Sequence, residues 1–321
     1  MRAFFLFLFV LLVALIGGLI AAGLYFYDFA IRRSTKEFLR DNEELRDPES
    51  GSAGDTGATS FATKDPDWLN RQELETWYIT SEDGLNLVGY YLPASKPTTK
   101  TAILAHGYTS QGRHMESFAW FYHELFGYNV LMPDARGHGQ SEGDYIGFGW
   151  PERKDYLLWI QTVIDRVGGD AQLVLHGISM GGATVMMVSG EDLPSQVKVI
   201  VEDCGYTSAY DELAYQLKKM YNLSPFPIMP ATSVITRWKA GYSLYEASAL
   251  KQVKKTRLPI LFIHGEEDRF VPFEMVWELY EACPSEKEIY VVKGAGHGNA
   301  YRTDRAMYVQ RVSDFLARFI Q

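Results

Sequence analysis

The sequence is poor in cysteine, in excess positive charge, and in long apolar runs other than one. Two cysteines among 321 residues, Cys204 and Cys283, exclude a disulfide framework and give no zinc-type spacing. They leave open one bridge between themselves. Basic residues number 31 against 40 acidic ones, for a formal charge of −9. A chain of that sign gains nothing from a phosphate backbone, so no nucleic-acid partner is expected. The one dense basic stretch, Lys251 to Arg257, reads as a solvated surface ahead of a strand. No internal repeat is visible.

The single long apolar run is Ala3 to Tyr27, 25 residues without a charge. A spanning helix needs about 20, at about 1.5 Å per residue through a hydrocarbon core of about 30 Å. Tyr25 and Tyr27 sit where an interfacial aromatic belt would lie. The run therefore reads as a single-pass anchor in the cell membrane. A cleaved signal peptide, the competing reading, expects a shorter apolar region followed by a small-x-small site. Ala21-Ala22-Gly23, inside the run, fits that poorly. Arg32, Arg33, Lys36 and Arg40 outnumber Arg2 on the other flank, which by charge favours a cytoplasmic position for the domain that follows. A very short N-terminal tail equally suits an anchor with its bulk outside, so the side stays open.

The boundaries expected are an anchor over 1–30, a juxtamembrane segment and linker over 31–72, and the main folded domain over 73–321. Residues 28 to about 48 read as a charged juxtamembrane helix. Glu49 to Ser60 is small and polar, as in a flexible linker. Removing the first 30 or so residues is then expected to leave a soluble protein with its activity intact.

From Glu73 onward, short apolar strands alternate with helical periodicity. Glu75–Thr80 and Leu85–Leu92 flank Ser-Glu-Asp-Gly, a hairpin signal. Strands follow at Thr101–Ala105, Tyr128–Met132, Gln172–Leu175, Val197–Val201, Pro259–Ile263 and Glu288–Val292. Helices are expected at Met115–Phe126, Asp155–Val167, Met180–Val188, Phe273–Ala282 and Thr303–Ile320. This is an α/β pattern with a mainly parallel sheet covered on both faces, and ligands bind at the carboxyl ends of such strands. Tyr206 to Thr256 interrupts the rhythm with tyrosine, methionine and proline. It reads as a lid or binding element, or else as a helical crossover with a packed apolar face.

Gly177-Ile178-Ser179-Met180-Gly181 matches G-x-S-x-G, but so does Gly139-Gln140-Ser141-Glu142-Gly143. Context separates them. The chemistry needs a serine on a sharp strand-to-helix turn, exposed beside a helix N-terminus. Only Ser179 has a strand before it and a helix after it. Ser141 lies among turn residues.

A serine hydroxyl needs a base to take its proton. Of seven histidines, His297 follows the last strand in Gly294-Ala295-Gly296-His297-Gly298 and suits the chain order serine, acid, histidine. His114 and His123 fall within a helical pattern. His106, His176 and His264 end strands and read as loop formers, and His138 sits beside Ser141. The acid expected is Asp268, with Asp203 as its competitor. Backbone amides of Met180 and Tyr108 would form an oxyanion hole. Tyr206, Phe226 and Met229 would line a substrate pocket.

His106-Gly107-Tyr108, the stretch Asp134 to Gly143, Gly177 to Gly182, His264 to Pro272 and Gly296-His297 together resemble the α/β-hydrolases, over about residues 73 to 320. The nearest likeness is to bacterial membrane-anchored members of the esterase or peptidase type. That resemblance implies an eight-stranded, mostly parallel sheet, a cap after the sixth strand over about 206–256, and ester, thioester or amide hydrolysis with no metal and no cofactor. It also places Ser179, Asp268, His297, Met180 and Tyr108 at the family's functional positions. The loop at Tyr108 lacks the glycine run of many lipases, which argues against a true lipase. The substrate expected is a small-molecule acyl ester or short amide. Amide hydrolysis or acyl transfer by the same three residues, and a non-catalytic binding protein on this fold, are the alternatives.

Overall fold

The computed structural model describes residues 1–40, Asn42, Leu45 and 67–321. The linker expected at Glu49 to Ser60 lies outside the described residues. Eight strands form one sheet: β1 (Glu75–Thr80), β2 (Asn86–Leu92), β3 (Lys100–Ala105), β4 (Asn129–Pro133), β5 (Gln172–Ile178), β6 (Val197–Asp203), β7 (Ile260–Gly265) and β8 (Lys287–Val292). Their order is β1-β2-β4-β3-β5-β6-β7-β8. The pairs β1–β2 and β2–β4 are antiparallel and the remaining pairs parallel. The central strands are buried on both faces, which is why they read as unbroken apolar runs; β1 at the edge alternates between half-buried and exposed.

Ahead of the sheet lie α1 (Arg2–Phe26) and α2 (Glu37–Arg40). Helices α3 (Glu116–Trp120), α10 (Ala300–Thr303) and α11 (Arg305–Leu316) cover one face of the sheet. The other face carries α4 (Glu152–Val167), α5 (Met180–Ser189), α8 (Ala249–Val253) and α9 (Glu274–Ala282). Between β6 and β7, α6 (Ala209–Tyr221) and α7 (Pro225–Ala240) form the cap.

Several elements differ from the sequence expectation. Three strands run further, β5 to Ile178, β6 to Asp203 and β7 to Gly265. Their ends carry buried polar side chains, and on β5 both ring nitrogens are met: His176 sits between the hydroxyls of Tyr122 and Tyr308, at 3.1 and 3.0 Å. The helix expected over Met115–Phe126 is a 3-10 turn, the short α3 and a π turn in succession. The one expected over Thr303–Ile320 breaks at Asp304, whose side chain caps the Met307 amide.

The largest departure is at the end of the N-terminal apolar helix. No continuous helix runs from residue 28 to 40. Instead α1 passes into a π turn, Tyr27–Ile31, and the chain then extends. Tyr27, Ala30 and Ile31 are buried in the same core as the sheet. The freed carbonyls find partners in the catalytic domain and in Lys36. Tyr108 Oη donates to Ala30 O at 2.6 Å, and the Ile146 amide donates to Ile31 O at 2.7 Å. Lys36 Nζ donates to Phe29 O at 2.6 Å and Arg32 O at 2.8 Å. Burial, helped by Arg32, lowers its pKa to about 8. Arg32 bridges Tyr145, and the Arg33 amide donates to Asp144 O at 2.8 Å. A boundary near residue 30 therefore cuts through packed structure, with Tyr27, Ala30 and Ile31 on the domain side of the contacts.

Candidate active site

The carboxyl ends of β5, β7 and β8 bring three residues together. Ser179 follows β5 with φ +56° and ψ −118°, and α5 begins at the next residue. That turn is sharp enough that a Cβ on Gly181 would lie 1.9 Å from the Ala105 carbonyl oxygen. Only glycine fits there. The strained serine backbone points the hydroxyl off the sheet edge, where His297 Nε2 lies 2.9 Å from Oγ.

His297 Nδ1 lies 2.7 Å from Asp268 Oδ2. With the carboxylate ionised, Nδ1 carries the proton and Nε2 faces Ser179 as an acceptor. Oδ1 of Asp268 accepts the amides of Phe270 and Val271, each at 2.9 Å. Burial opposes the charge on Asp268. The two flanking histidines outweigh it and hold the carboxyl well below the ordinary carboxylate range. The second histidine is His264, whose Nε2 lies 3.2 Å from Oδ2. Sequence reasoning took His264 for a loop former. The i, i+4 spacing from His264 to Asp268 was the available signal, but it spans the end of β7 and a turn, not a helix.

The competing residues have other tasks. Asp203 accepts from Tyr308 Oη at 2.9 Å. Burial raises its pKa to about 6. Ser141 Oγ donates to Asp134 O at 2.6 Å and accepts the Val88 amide at 2.9 Å. His106 Nε2 accepts the Ala135 amide at 3.0 Å, and His138 Nε2 accepts the Thr109 amide at 3.2 Å. His123 is buried against Pro93 O, and His114 Nδ1 lies 3.2 Å from Ser110 Oγ. Cys204 and Cys283 are both free and buried, so the bridge left open by the sequence is not made. Cys204 Sγ lies close to the ligand atoms of Asp268 and His297. Burial, with Asp203 and Asp268 beside it, pushes its thiol far up, so it stays protonated and is no rival nucleophile.

The loop after β3 lies against the serine: a Cβ on Gly107 would be 3.5 Å from Ser179 Cβ. Tyr108 follows it, and Met180 opens α5, where first-turn amides lack intrahelical partners. A cavity of about 740 Å³, its open mouth included, reaches Ser179 and is lined almost wholly by apolar atoms. Tyr108, Tyr206, Met229 and Phe270 line it. Phe226 does not. It stands at the start of α7 with a non-helical backbone and is 74% exposed, so its expected place in the pocket is corrected. The sequence reading also missed Phe26, Phe29 and Phe38, from the end of α1 and the segment after it, which line the same cavity.

An eight-stranded, mostly parallel sheet with a serine on a strand-to-helix elbow, a histidine in reach and a buried acid behind it defines a hydrolase of the α/β class. The chain belongs to the alpha/beta hydrolase family, whose model matches residues 102–310. It is 27% identical over 305 residues to the uncharacterized protein YqkD of Bacillus subtilis, covering 94% of both chains. It is 25% identical over 281 residues to alpha/beta hydrolase domain-containing protein 17C of Bos taurus, covering 84% of this chain and 75% of that one. Among solved structures, the Pyrococcus furiosus esterase Pf2001 is similar at 25% identity with a TM-score of 0.65, over 81% of this chain and 98% of the other.

Proposed function

We propose that the protein is a serine hydrolase of carboxylic esters, thioesters included, working through an acyl-enzyme on Ser179. The observation that carries this is the relay of Ser179 Oγ to His297 at 2.9 Å and of His297 to Asp268 at 2.7 Å. Ser179 attacks the acyl carbonyl while His297 Nε2 takes its proton. Asp268 holds the tautomer and stabilises the imidazolium without taking the proton itself. The amides of Met180 and Tyr108 receive the oxyanion. His297 then protonates the leaving alcohol or thiol. Water, deprotonated by the same histidine, releases the acid and restores the serine. The apolar lining of the pocket favours an ester over a peptide, whose amide groups would be buried there without partners. The anchor reading places this chemistry at a membrane: Arg2–Ile31 is long and apolar enough to cross one.

The test is labelling by a fluorophosphonate together with turnover of p-nitrophenyl esters beside aminoacyl amides. The expected result is ester turnover and labelling that both vanish in Ser179→Ala. Labelling that persists in Ser179→Ala, or faster cleavage of the amides, overturns the proposal.

A further inference from the structure

The helix that would cross the membrane is longer than the task requires. Arg2–Ile31 is 30 residues, about 45 Å at 1.5 Å per residue, against a hydrocarbon core of about 30 Å. Its first two thirds touch little: Phe4 to Ile16 carries large apolar side chains 41–64% exposed. The last third is part of the enzyme. Gly23 packs on the cap helix α7 so closely that a Cβ would lie 2.9 Å from Ile235 and 3.0 Å from the Ala231 carbonyl oxygen. One turn on, Phe26 and Phe29 meet Tyr221 at the end of α6 edge to face, with ring centroids 5.5 and 5.9 Å apart. Phe29 stacks on Phe38 at 4.3 Å. Tyr25 Oη lies 3.3 Å from Tyr221 Oη. Phe26, Phe29, Phe38 and Tyr221 line the cavity that reaches Ser179. The same stretch bonds to the oxyanion loop, since Ala30 O accepts from the Tyr108 hydroxyl.

The outside of this seam is apolar as well. Leu223, Phe226, Val234 and Trp238, on α7 or just before it, are 40%, 74%, 68% and 75% exposed. A patch of that kind in water would be a liability, yet here it belongs to the helix that packs on the membrane-spanning segment. The bilayer is the occupant that this continuity selects.

Resting on the reading of Ser179 as an ester-cleaving nucleophile, we infer that the end of the anchor is the bilayer-side wall of the acyl pocket, and that the enzyme takes long-chain acyl esters resident in the membrane. The acyl chain lies between Phe26 and Phe29 of the anchor and Leu217, Met220 and Tyr221 of the cap, with its carbonyl at Ser179. Phe26 and Phe29 are then specificity-determining residues. The bond cleaved is the one between the acyl carbonyl and the ester oxygen. Water supplies the hydroxyl of the released acid, and the alcohol leaves with the proton from His297.

The experiment uses the full chain in phosphatidylcholine vesicles. A long-chain alkyl fluorophosphonate with a diazirine at its tail end is bound to Ser179, irradiated, and the crosslinked peptides are mapped. The expected crosslinks fall on residues 25–38 and on the C-terminal turn of α6. In parallel, the ratio of kcat/KM for p-nitrophenyl dodecanoate to that for the butanoate is measured for wild type, Phe29→Ala, Phe29→Leu and Leu12→Ala. The ratio should fall by about tenfold or more in Phe29→Ala, the scale on which apolar pocket contacts discriminate. It should fall less in Phe29→Leu and stay unchanged in Leu12→Ala. Crosslinks confined to other elements, or an unchanged ratio in a folded Phe29 variant, overturn the inference while Ser179 is still labelled. Absence of labelling in wild type instead overturns the serine-hydrolase reading on which it rests. If Phe29→Ala does not fold, the crosslink map on wild type decides alone.

Discussion

The chain contains the pattern G-x-S-x-G twice, and the two copies do opposite things. In Gly177–Gly181 the serine stands at φ +56° between a strand and a helix, with its hydroxyl turned out to His297. In Gly139–Gly143 the serine is 1% exposed and both ends of its hydroxyl are spent on backbone, Asp134 O and the Val88 amide. The glycines differ too. Gly181 makes room for a neighbouring strand end, whereas a Cβ on Gly139 would run into the Asp134 carboxylate that gathers its own loop. Asp134 there accepts the amides of Gly112 and Gln140 at 2.7 and 2.8 Å. Arg33, just past the anchor, donates to the carbonyls of Gly139 and Ser141, each at 2.8 Å. One copy presents its serine to a histidine, while the other is a clasp that takes hold of the chain just after the N-terminal helix. The pattern alone carries neither role; the backbone that enters and leaves it does.

The comparison is broken most directly at the serines. Ser179→Ala is expected to remove ester turnover by about four to six decades, since the proposed mechanism forms its acyl-enzyme on that hydroxyl. Ser141→Ala should keep kcat/KM within about twofold but cost about 1–3 kcal/mol, because the buried Val88 amide loses its acceptor. Steady-state kinetics and thermal melts of both variants check this, and a swap of the two phenotypes would exchange the roles.

The acids sharpen it next. Asp268→Asn should lower kcat by up to about four decades, because an amide can hold His297 in the wrong tautomer. Asp203→Asn should cost far less, since Asp203 faces Tyr308 and not the imidazole. Paired kcat measurements decide, and equal losses would mean that the histidine reads both carboxylates.

A smaller effect comes from the carboxyl beneath the catalytic elbow. Glu202 is buried and accepts the Gly205 amide at 3.0 Å. Burial raises its pKa from an ordinary 4.5 to about 8. The folded protein then holds a proton that the unfolded chain releases. Stability from this group is present in full below pH 4.5 and is lost as pH rises toward about 8. Asp268 works the other way: its depressed pKa adds stability above the ordinary carboxylate range and loses it in acid. Glu202→Gln should therefore flatten, without abolishing, the fall of Tm between those two pH values, because Asp203 and Glu152 are raised in the same sense. Melts across the range test it, and an unchanged slope would refute the assignment.

Most of the sheet and all three relay residues were legible in the sequence, because short apolar runs, glycines and a fixed chain order are local signals. The strand ends were not. His176 looks like a loop residue and Asp203 like a rival acid until their partners, Tyr122 and Tyr308, arrive from distant parts of the chain, and His264 meets Asp268 only through the turn that follows β7. Phe226 misled for the opposite reason: its composition suits a pocket, but the turn into α7 faces it outward. The part of the N-terminal helix in the pocket was hidden deepest. Nothing local in Phe26 or Phe29 separates a lipid-facing ring from one that lines a cavity. Only the packing of Gly23 on α7 and the bond from Tyr108 to Ala30 show which they are.

The smallest effect is expected at Arg33, which joins the clasp to the chain leaving the N-terminal helix. Its guanidinium reaches three carbonyls of the loop, those of Gly139, Ser141 and, at 3.3 Å, Gly143. Such charge-assisted bonds are strong in a dry site, but Arg33 is exposed, and water competes for both partners. Its backbone contributes separately, through the amide bond to Asp144 O, and would survive a change of side chain. Arg33→Ala should thus cost only about 1 kcal/mol, a shift in Tm of about 2–4 °C for a chain of this size. Fluorophosphonate labelling of Ser179 should persist, because the loop that Arg33 holds lies outside the relay. Arg33→Lys should recover less than half of the loss, since a single ammonium cannot span carbonyls that the planar fork reaches together. Melting curves and labelling rates on the three proteins give the answer. A loss of labelling in folded Arg33→Ala would show that the clasp governs the catalytic copy of the pattern and that the two are not independent.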